Sequence, residues 1–271
     1  MPRYIRLENQ KIAYHRSSSH DDKIVLIHGN SGSGTTFRKQ LDSSLGQKVG
    51  LIAIDLPGHG NSDPASTKEQ YSLRGYAQVL LEALDNLKIN NVILVGWSLG
   101  GHIAMQTSEL SARVKGLMTF GSPPLNLQLE IEPAFFPHKA IQYVFKKNLS
   151  EEDAREFADA FVGSQYSGEL GSFVQDIIRT DRQARPELGN SITAGDFGNE
   201  RDIVSRLKIP LAILHGKEEK LVNRDYYREL TIPTLWRNGV QVVDAAGHAI
   251  HWEQPETFNA YLEDFITDCA F

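Results

Sequence analysis

The chain has 271 residues, 41% of them hydrophobic, enough for one large domain with a sizeable buried core. Its 28 Lys and Arg stand against 34 Asp and Glu, a net charge of -6 with no long basic run, which argues against nucleic acid and anionic membrane as partners. No apolar run reaches membrane-spanning length, and one cysteine, Cys269, leaves no internal disulfide, so a soluble, cytoplasmic protein is expected.

The runs "RYIRLEN" and "KIAYHRS" predict an antiparallel hairpin at the start of the chain. "HRSSSHDD", residues 15–22, reads as a polar surface turn. Short β-branched runs then alternate with longer amphipathic ones, the pattern of a mostly parallel sheet covered by helices. Strands are predicted from Lys23 to Gly29, Gly50 to Leu56, Asn91 to Gly96, Val114 to Gly121, Pro210 to Gly216 and Val240 to Ala245. Helices are predicted from Thr35 to Leu45, Leu73 to Leu87, Leu99 to Leu110 and Pro255 to Thr267, the last opening on a proline suited to a first turn. The alternation stops after Gly121 and resumes at Pro210. Between them "LSEEDAREFADAFVG" and "GELGSFVQDIIRT" carry helical periodicity and no strand pattern. The expected organisation is therefore α/β: a core from residues 1–121 and 210–271, with residues 122–209 forming an inserted helical lid.

The motif "GWSLG" ends a buried strand and opens a helix, the strand-turn-helix setting of an exposed nucleophile on a strained turn. Gly96 and Gly100 permit the sharp turn, Gly101 permits close helix packing, and Ser98 is the candidate nucleophile. A serine hydroxyl needs a base. His248 in "VVDAAGHAIHWEQPE" follows the last predicted strand, with Gly247 freeing the backbone before it, whereas His28 and His215 merely precede strand-end glycines and His102 and His251 read as supporting or surface residues. An oxyanion hole needs two donors: the Leu99 amide just after the nucleophile, and Asn30 in "HGNSGSGTTF", by its backbone and also by its side chain. The same loop is one residue from a phosphate-binding G-x-x-x-x-G-K-[ST], but Thr35 stands where the lysine belongs and Arg38 and Lys39 fall a turn later, which disfavours an NTPase. The loop "LHGKEEKLV" offers Glu218 and Glu219 as the third member, and Asp225 and Asp244 lie nearby.

"IVLIHGNSGSG", "IDLPGHGNSD", "VGWSLGGH", "LAILHGKEEKLV" and "VVDAAGHA" occur in an order and at intervals that resemble the α/β-hydrolase family over nearly the whole chain. The resemblance implies an eight-stranded, mostly parallel sheet with helices on both faces and an inserted helical lid, a nucleophile-acid-histidine order, hydrolysis through an acyl-enzyme, and no cofactor. It gives "DLPGHGNS" a structural role only. Ser98 in the nucleophile position separates the chain from relatives with an aspartate there, such as dehalogenases and epoxide hydrolases. The family places its acid three residues after the strand-ending glycine, with an apolar residue three later; Gly216, Glu219 and Val222 fit that frame and Glu218 does not.

Within the family, "HGNSGSG", "GWSLGGH", "GSPP", "DIIRTDRQAR", "NERDIV" and a glutamate acid resemble the metal-independent N-acyl-homoserine lactone lactonases. The expected substrate is then a small ester or lactone with an apolar acyl chain. Trp97, Phe136, Tyr143, Phe157 and Tyr166 are the candidate substrate-binding residues, and Phe135, Phe145 and Phe161 are further candidates for an acyl-chain tunnel. Phe157 stands where such lactonases place a lid tyrosine, a departure that keeps a short-chain carboxylesterase and a carbon-carbon-bond hydrolase in view, as well as a non-catalytic receptor on the same scaffold. The H-x-H-x-D-H cluster of metal-dependent lactonases is absent from the sequence, so no metal is expected.

Overall fold

The computed structural model describes residues 1–18, 22–127 and 131–269, so Ser19, His20 and Asp21 of the expected polar turn lie outside the described residues. Strands β1 (Arg3–Arg6) and β2 (Lys11–Arg16) form the antiparallel hairpin, followed by β3 (Asp22–Ile27), β4 (Gly50–Ile54), β5 (Val92–Trp97), β6 (Val114–Phe120), β7 (Leu211–Gly216) and β8 (Gln241–Val243). Their order in the sheet is β1-β2-β4-β3-β5-β6-β7-β8, with β2 antiparallel to β4 and every later pairing parallel. Ile24 to Ile27 and Val92 to Val95 have no exposed surface, as continuous apolar strands covered on both faces should.

The helix expected from Thr35 to Leu45 is broken into a 3-10 turn at Gly34–Phe37, α1 (Arg38–Leu41) and α2 (Ser44–Lys48). Ser43 breaks it: its backbone is extended and its hydroxyl accepts from the Gly46 amide, so it caps a second helix instead of continuing the first. Helices α3 (Leu73–Asn86) and α4 (Leu99–Leu110) follow the sequence pattern. Between β6 and β7 come α5 (Ile131–Ala134), α6 (Glu151–Asp159), α7 (Gly171–Arg179), α8 (Ala184–Thr193) and α9 (Glu200–Arg206). Among the described residues this segment adds no strand to the sheet; its one extended contact is a bridge between Phe135 and Val222. α6 opens on a capping box between Ser150 and Asp153. α8 accommodates Pro186 in its first turn, where the missing N–H breaks no helical bond. The chain closes with α10 (Ile250–Glu253) and α11 (Pro255–Cys269).

The core continues from the sheet into the inserted segment. Trp97 at the end of β5 meets Phe161 and Phe173, Phe161 meets Phe157, and Phe173 meets Trp252, with ring centroids 4.8–5.8 Å apart. Truncating any of these buried rings would cost about 3–5 kcal/mol, so the helices are fixed over the sheet by the same apolar packing that holds the sheet together. Meanwhile α8 leans on α3, and α9 packs against α4. No helix among the described residues is long and apolar enough to cross a membrane.

Candidate active site

Ser98 sits between β5 and α4 with φ 52° and ψ -120°, a left-handed backbone that costs a non-glycine residue roughly 1–3 kcal/mol. The surroundings enforce it. A Cβ on Gly96 would lie 2.3 Å from the Gly100 carbonyl, and one on Gly100 would lie 2.1 Å from the Ile27 carbonyl of β3, so the turn closes only with glycine at both positions. The Ser98 amide donates to Phe120 O at 2.8 Å and the Ser122 hydroxyl donates to Ser98 O at 2.7 Å, so the end of β6 grips the serine backbone from the side.

His248 and Glu219 are brought together at the ends of β8 and β7. Their side chains are 3% and 2% exposed, and Nδ1 of His248 lies 2.7 Å from Glu219 Oε2. The other oxygen, Oε1, accepts from the Leu221 amide at 2.8 Å. Burial alone would raise the Glu219 pKa, but the facing His248, its hydrogen bond and the Leu221 amide reverse the sign, and the carboxyl titrates below its ordinary value. The ring of His248 stacks on Phe161 at 6.0 Å, while its backbone carbonyl accepts from Trp97 Nε1 at 3.0 Å. His248 is thereby tied to the residue preceding Ser98.

The competing carboxylates are occupied elsewhere. Asp244 is paired with Lys217 at 2.7 Å on the surface, its side chain 81% exposed. Asp225 lies in the first turn of a short 3-10 helix capped by Asn223 and pairs with Arg228 at 3.1 Å. Glu218 is engaged through Oε2, which accepts from both the amide and the hydroxyl of Ser164 and joins the β7 loop to the inserted segment.

Leu99 is the first residue of α4, where helical amides have no carbonyl one turn earlier to bind. Asn30 is nearly buried, and its side chain is already engaged: Nδ2 donates to Val144 O at 3.1 Å and Oδ1 accepts from Ser31 at 2.7 Å. One of the two Nδ2 hydrogens is thus committed to Val144 O, and the backbone amide of Asn30 lies in the same loop. Ser31 is held in turn by Arg185, a buried guanidinium that also donates to the Lys146, Lys147 and Ile177 carbonyls and whose pKa burial lowers to about 10.

These residues face one cavity of about 930 Å³, part of it open to solvent. Ser98, Leu99, Asn30, His248, Trp97 and Phe157 line it, together with Phe135, Phe145 and Phe161. Phe136, Tyr143 and Tyr166 do not. The chain is extended at Phe135, so the next side chain points outward, and Phe136 is 40% exposed. Tyr143 turns its hydroxyl to Glu156, and Tyr166 accepts from Trp252 Nε1 at 2.8 Å.

Two positions escaped the sequence reading. Gly121 adopts φ +66° directly under the His248 ring, where a Cβ would stand 2.4 Å from Cε1; the "GSPP" run held that signal. Glu253 accepts from the Gly247 and Gly163 amides at 2.7 Å each, clamping the histidine loop to the inserted segment. Gly247 has no left-handed backbone; what it provides is close approach, since a Cβ there would meet Val162 and Gly163.

The model of the alpha/beta hydrolase family matches residues 24–261. Among curated proteins the chain is similar to a putative 2-succinyl-6-hydroxy-2,4-cyclohexadiene-1-carboxylate synthase of Bacillus subtilis (strain 168), 27% identical, covering 91% of this chain and 90% of that one. It is 25% identical to a 2-hydroxy-6-oxononadienedioate/2-hydroxy-6-oxononatrienedioate hydrolase of a Pseudomonas species, covering 95% and 92%. Among solved structures, the N-acyl homoserine lactonase AidH complexed with N-butanoyl homoserine superposes with a TM-score of 0.94 at 34% identity, covering 100% of this chain and 97% of that one.

Proposed function

The chain belongs to the alpha/beta hydrolase family, and on that premise we propose that it hydrolyses a carboxylic ester or lactone, an N-acyl-homoserine lactone foremost. Ser98 is the nucleophile, His248 its general base, and Glu219 the carboxylate that orients the imidazole and stabilises the imidazolium. Ser98 Oγ attacks the carbonyl carbon as its proton passes to His248 Nε2. The oxyanion is received by the Leu99 and Asn30 amides, and collapse breaks the bond to the alkoxy oxygen, which takes the proton back from His248. In a lactone that alcohol stays attached to the acyl group. Water, activated by the same histidine, then releases the acid and restores Ser98. Residues 122–209 act in this scheme as the lid over the core formed by residues 1–121 and 210–271.

The observation that carries this reading is the buried His248–Glu219 pair, whose imidazole lines the cavity that Ser98 also lines. The choice of lactone draws support from the superposition on an N-acyl homoserine lactonase and from the apolar walls supplied by Phe135, Phe145, Phe157 and Phe161. Similarity to a dioate hydrolase favours a carbon-carbon-bond hydrolase as the second reading. Against it, the cavity lining contains no Arg or Lys among the described residues to receive a substrate with two carboxylates. The test is incubation with acyl-homoserine lactones and a panel of p-nitrophenyl esters, together with fluorophosphonate labelling. Ester cleavage without lactone opening would replace the lactonase by an esterase, and a wild type unlabelled at Ser98 would overturn the serine mechanism.

A further inference from the structure

One helical turn beyond Ser98, on the same face of α4, a second imidazole reaches the cavity wall. His102 Nδ1 lies 2.8 Å from Oε2 of Glu200, a carboxylate with no exposed surface at the start of α9. Glu200 also accepts from the Leu125 amide at 2.9 Å and from Gln106 Nε2 at 3.2 Å, and among the described residues His102 is its one ion-pair partner. That arrangement fixes the ring plane and engages one nitrogen. The side chain of His102 is 10% exposed, and its Nε2 has no protein partner among the described residues. Apart from Asn30, Ser98, His248, two glycines and Trp97, whose N–H is already given to the His248 carbonyl, the rest of the lining is leucine, isoleucine, valine and phenylalanine.

A pair that served only to tie α4 to α9 would have no reason to leave its free nitrogen on an apolar cavity. We propose that His102, held by Glu200, is a binding subsite for one polar group of the substrate, an amide or a hydroxyl close to the carbonyl under attack. A neutral ring accepts through Nε2 and a protonated ring donates, and an amide offers a partner for either. The subsite makes the cavity selective for an acyl substrate that is polar beside the scissile bond and apolar beyond it. This deepens the proposed lactonase reading but does not require it.

Two substrate pairs matched in chain length test the subsite. N-butanoyl-homoserine lactone is compared with α-pentyl-γ-butyrolactone, and the p-nitrophenyl ester of N-butanoylglycine with p-nitrophenyl heptanoate. Within each pair the readout is the ratio of kcat/KM, which a loss of stability or of general activity leaves unchanged. Wild type is expected to favour the amide-bearing member by roughly tenfold or more, the worth of one hydrogen bond in a closed site. His102→Phe should bring the ratio close to unity. His102→Asn, whose amide nitrogen falls where Nδ1 stood and so keeps a donor toward Glu200 while removing Nε2, guards against misfolding of the first variant and should lower it at least about threefold. No preference in wild type, or an unchanged ratio in His102→Asn, overturns the proposal. If neither lactone is opened while the glycine ester shows the preference, the lactonase reading falls and the subsite stands.

Discussion

Replacing Glu219 by glutamine removes one charge and almost no volume, and the structure dictates which way the new amide must face. Oε1 accepts from the Leu221 amide, so the glutamine oxygen stays there and its NH2 points at His248 Nδ1. A donor facing Nδ1 forces the tautomer with the proton on Nε2, which can no longer take the proton of Ser98. The variant also loses the attraction between carboxylate and imidazolium. With charge centres about 4 Å apart and an effective dielectric of about 20, that interaction is about 4 kcal/mol, or roughly a thousandfold in rate. Glu219→Gln should therefore lower kcat on a p-nitrophenyl ester by roughly a thousandfold or more with little change in KM, in a protein whose thermal transition stays cooperative. Asp244→Asn and Glu218→Gln, measured in parallel, should stay within about threefold of wild type, since surface ion pairs contribute little. A Glu219→Gln enzyme within about tenfold of wild type, or an equal loss in Asp244→Asn, would show that another carboxylate supports His248.

Gly121→Ala would place a methyl group against the His248 ring and force a left-handed alanine; kcat is expected to fall about a hundredfold and stability by about 1–2 kcal/mol, checked by kinetics beside urea unfolding. The Asp176 carboxylate accepts from Ser33 in the loop after β3, and burial raises its pKa to about 6. The folded chain binds this proton more tightly than the unfolded one, so its stabilising contribution falls as pH rises from about 4 to about 6. Asp176→Asn should then exceed wild type by up to about 3 kcal/mol at neutral pH, with the difference closing near pH 4 in urea titrations. His28, His59, His215 and His251 behave oppositely: burial lowers all four, so the stability that depends on their neutrality is present above about pH 6.5 and lost below it. The urea midpoint should drop between about pH 6.5 and 5, less steeply in His251→Phe, and a flat profile across that window would contradict their burial as neutral rings.

Residues whose position follows from chain direction were legible in the sequence. The strands announce themselves by continuous apolar runs, the Ser98 turn by glycines at fixed offsets, and Glu219 by its count from Gly216. The cavity wall was less so, because aromatic composition carries no direction: Phe135 and Phe136 are adjacent, and only the bridge to Val222 shows which faces inward. Tyr143 and Tyr166 read as cavity residues by composition, whereas in the fold their hydroxyls are engaged by Glu156 and Trp252. Contacts between residues far apart in sequence left no local trace. His102 and Glu200 are separated by 98 positions, and Gly121 matters through a ring that arrives from the far end of the chain.

The hydrogen-bond line from Arg185 through Ser31 to Asn30 bears on how this enzyme can be remodelled. Exchanging helical covers is an attractive way to give a hydrolase core a new specificity, on the premise that core and cover are separable parts. Here the cover supplies the guanidinium that holds Ser31, whose backbone is left-handed at φ 60°, and the Val144 carbonyl that receives the Asn30 side chain. A foreign cover lacking both groups would leave the Asn30–Ser31 loop without these supports, and, if that loop serves as proposed, the hybrid would lose rate before its specificity could be measured. Transplants into this scaffold should carry the Arg185 helix and the Val144 turn with them, or be limited to side chains such as Phe135, Phe145 and Ile192, which line the cavity without holding that loop.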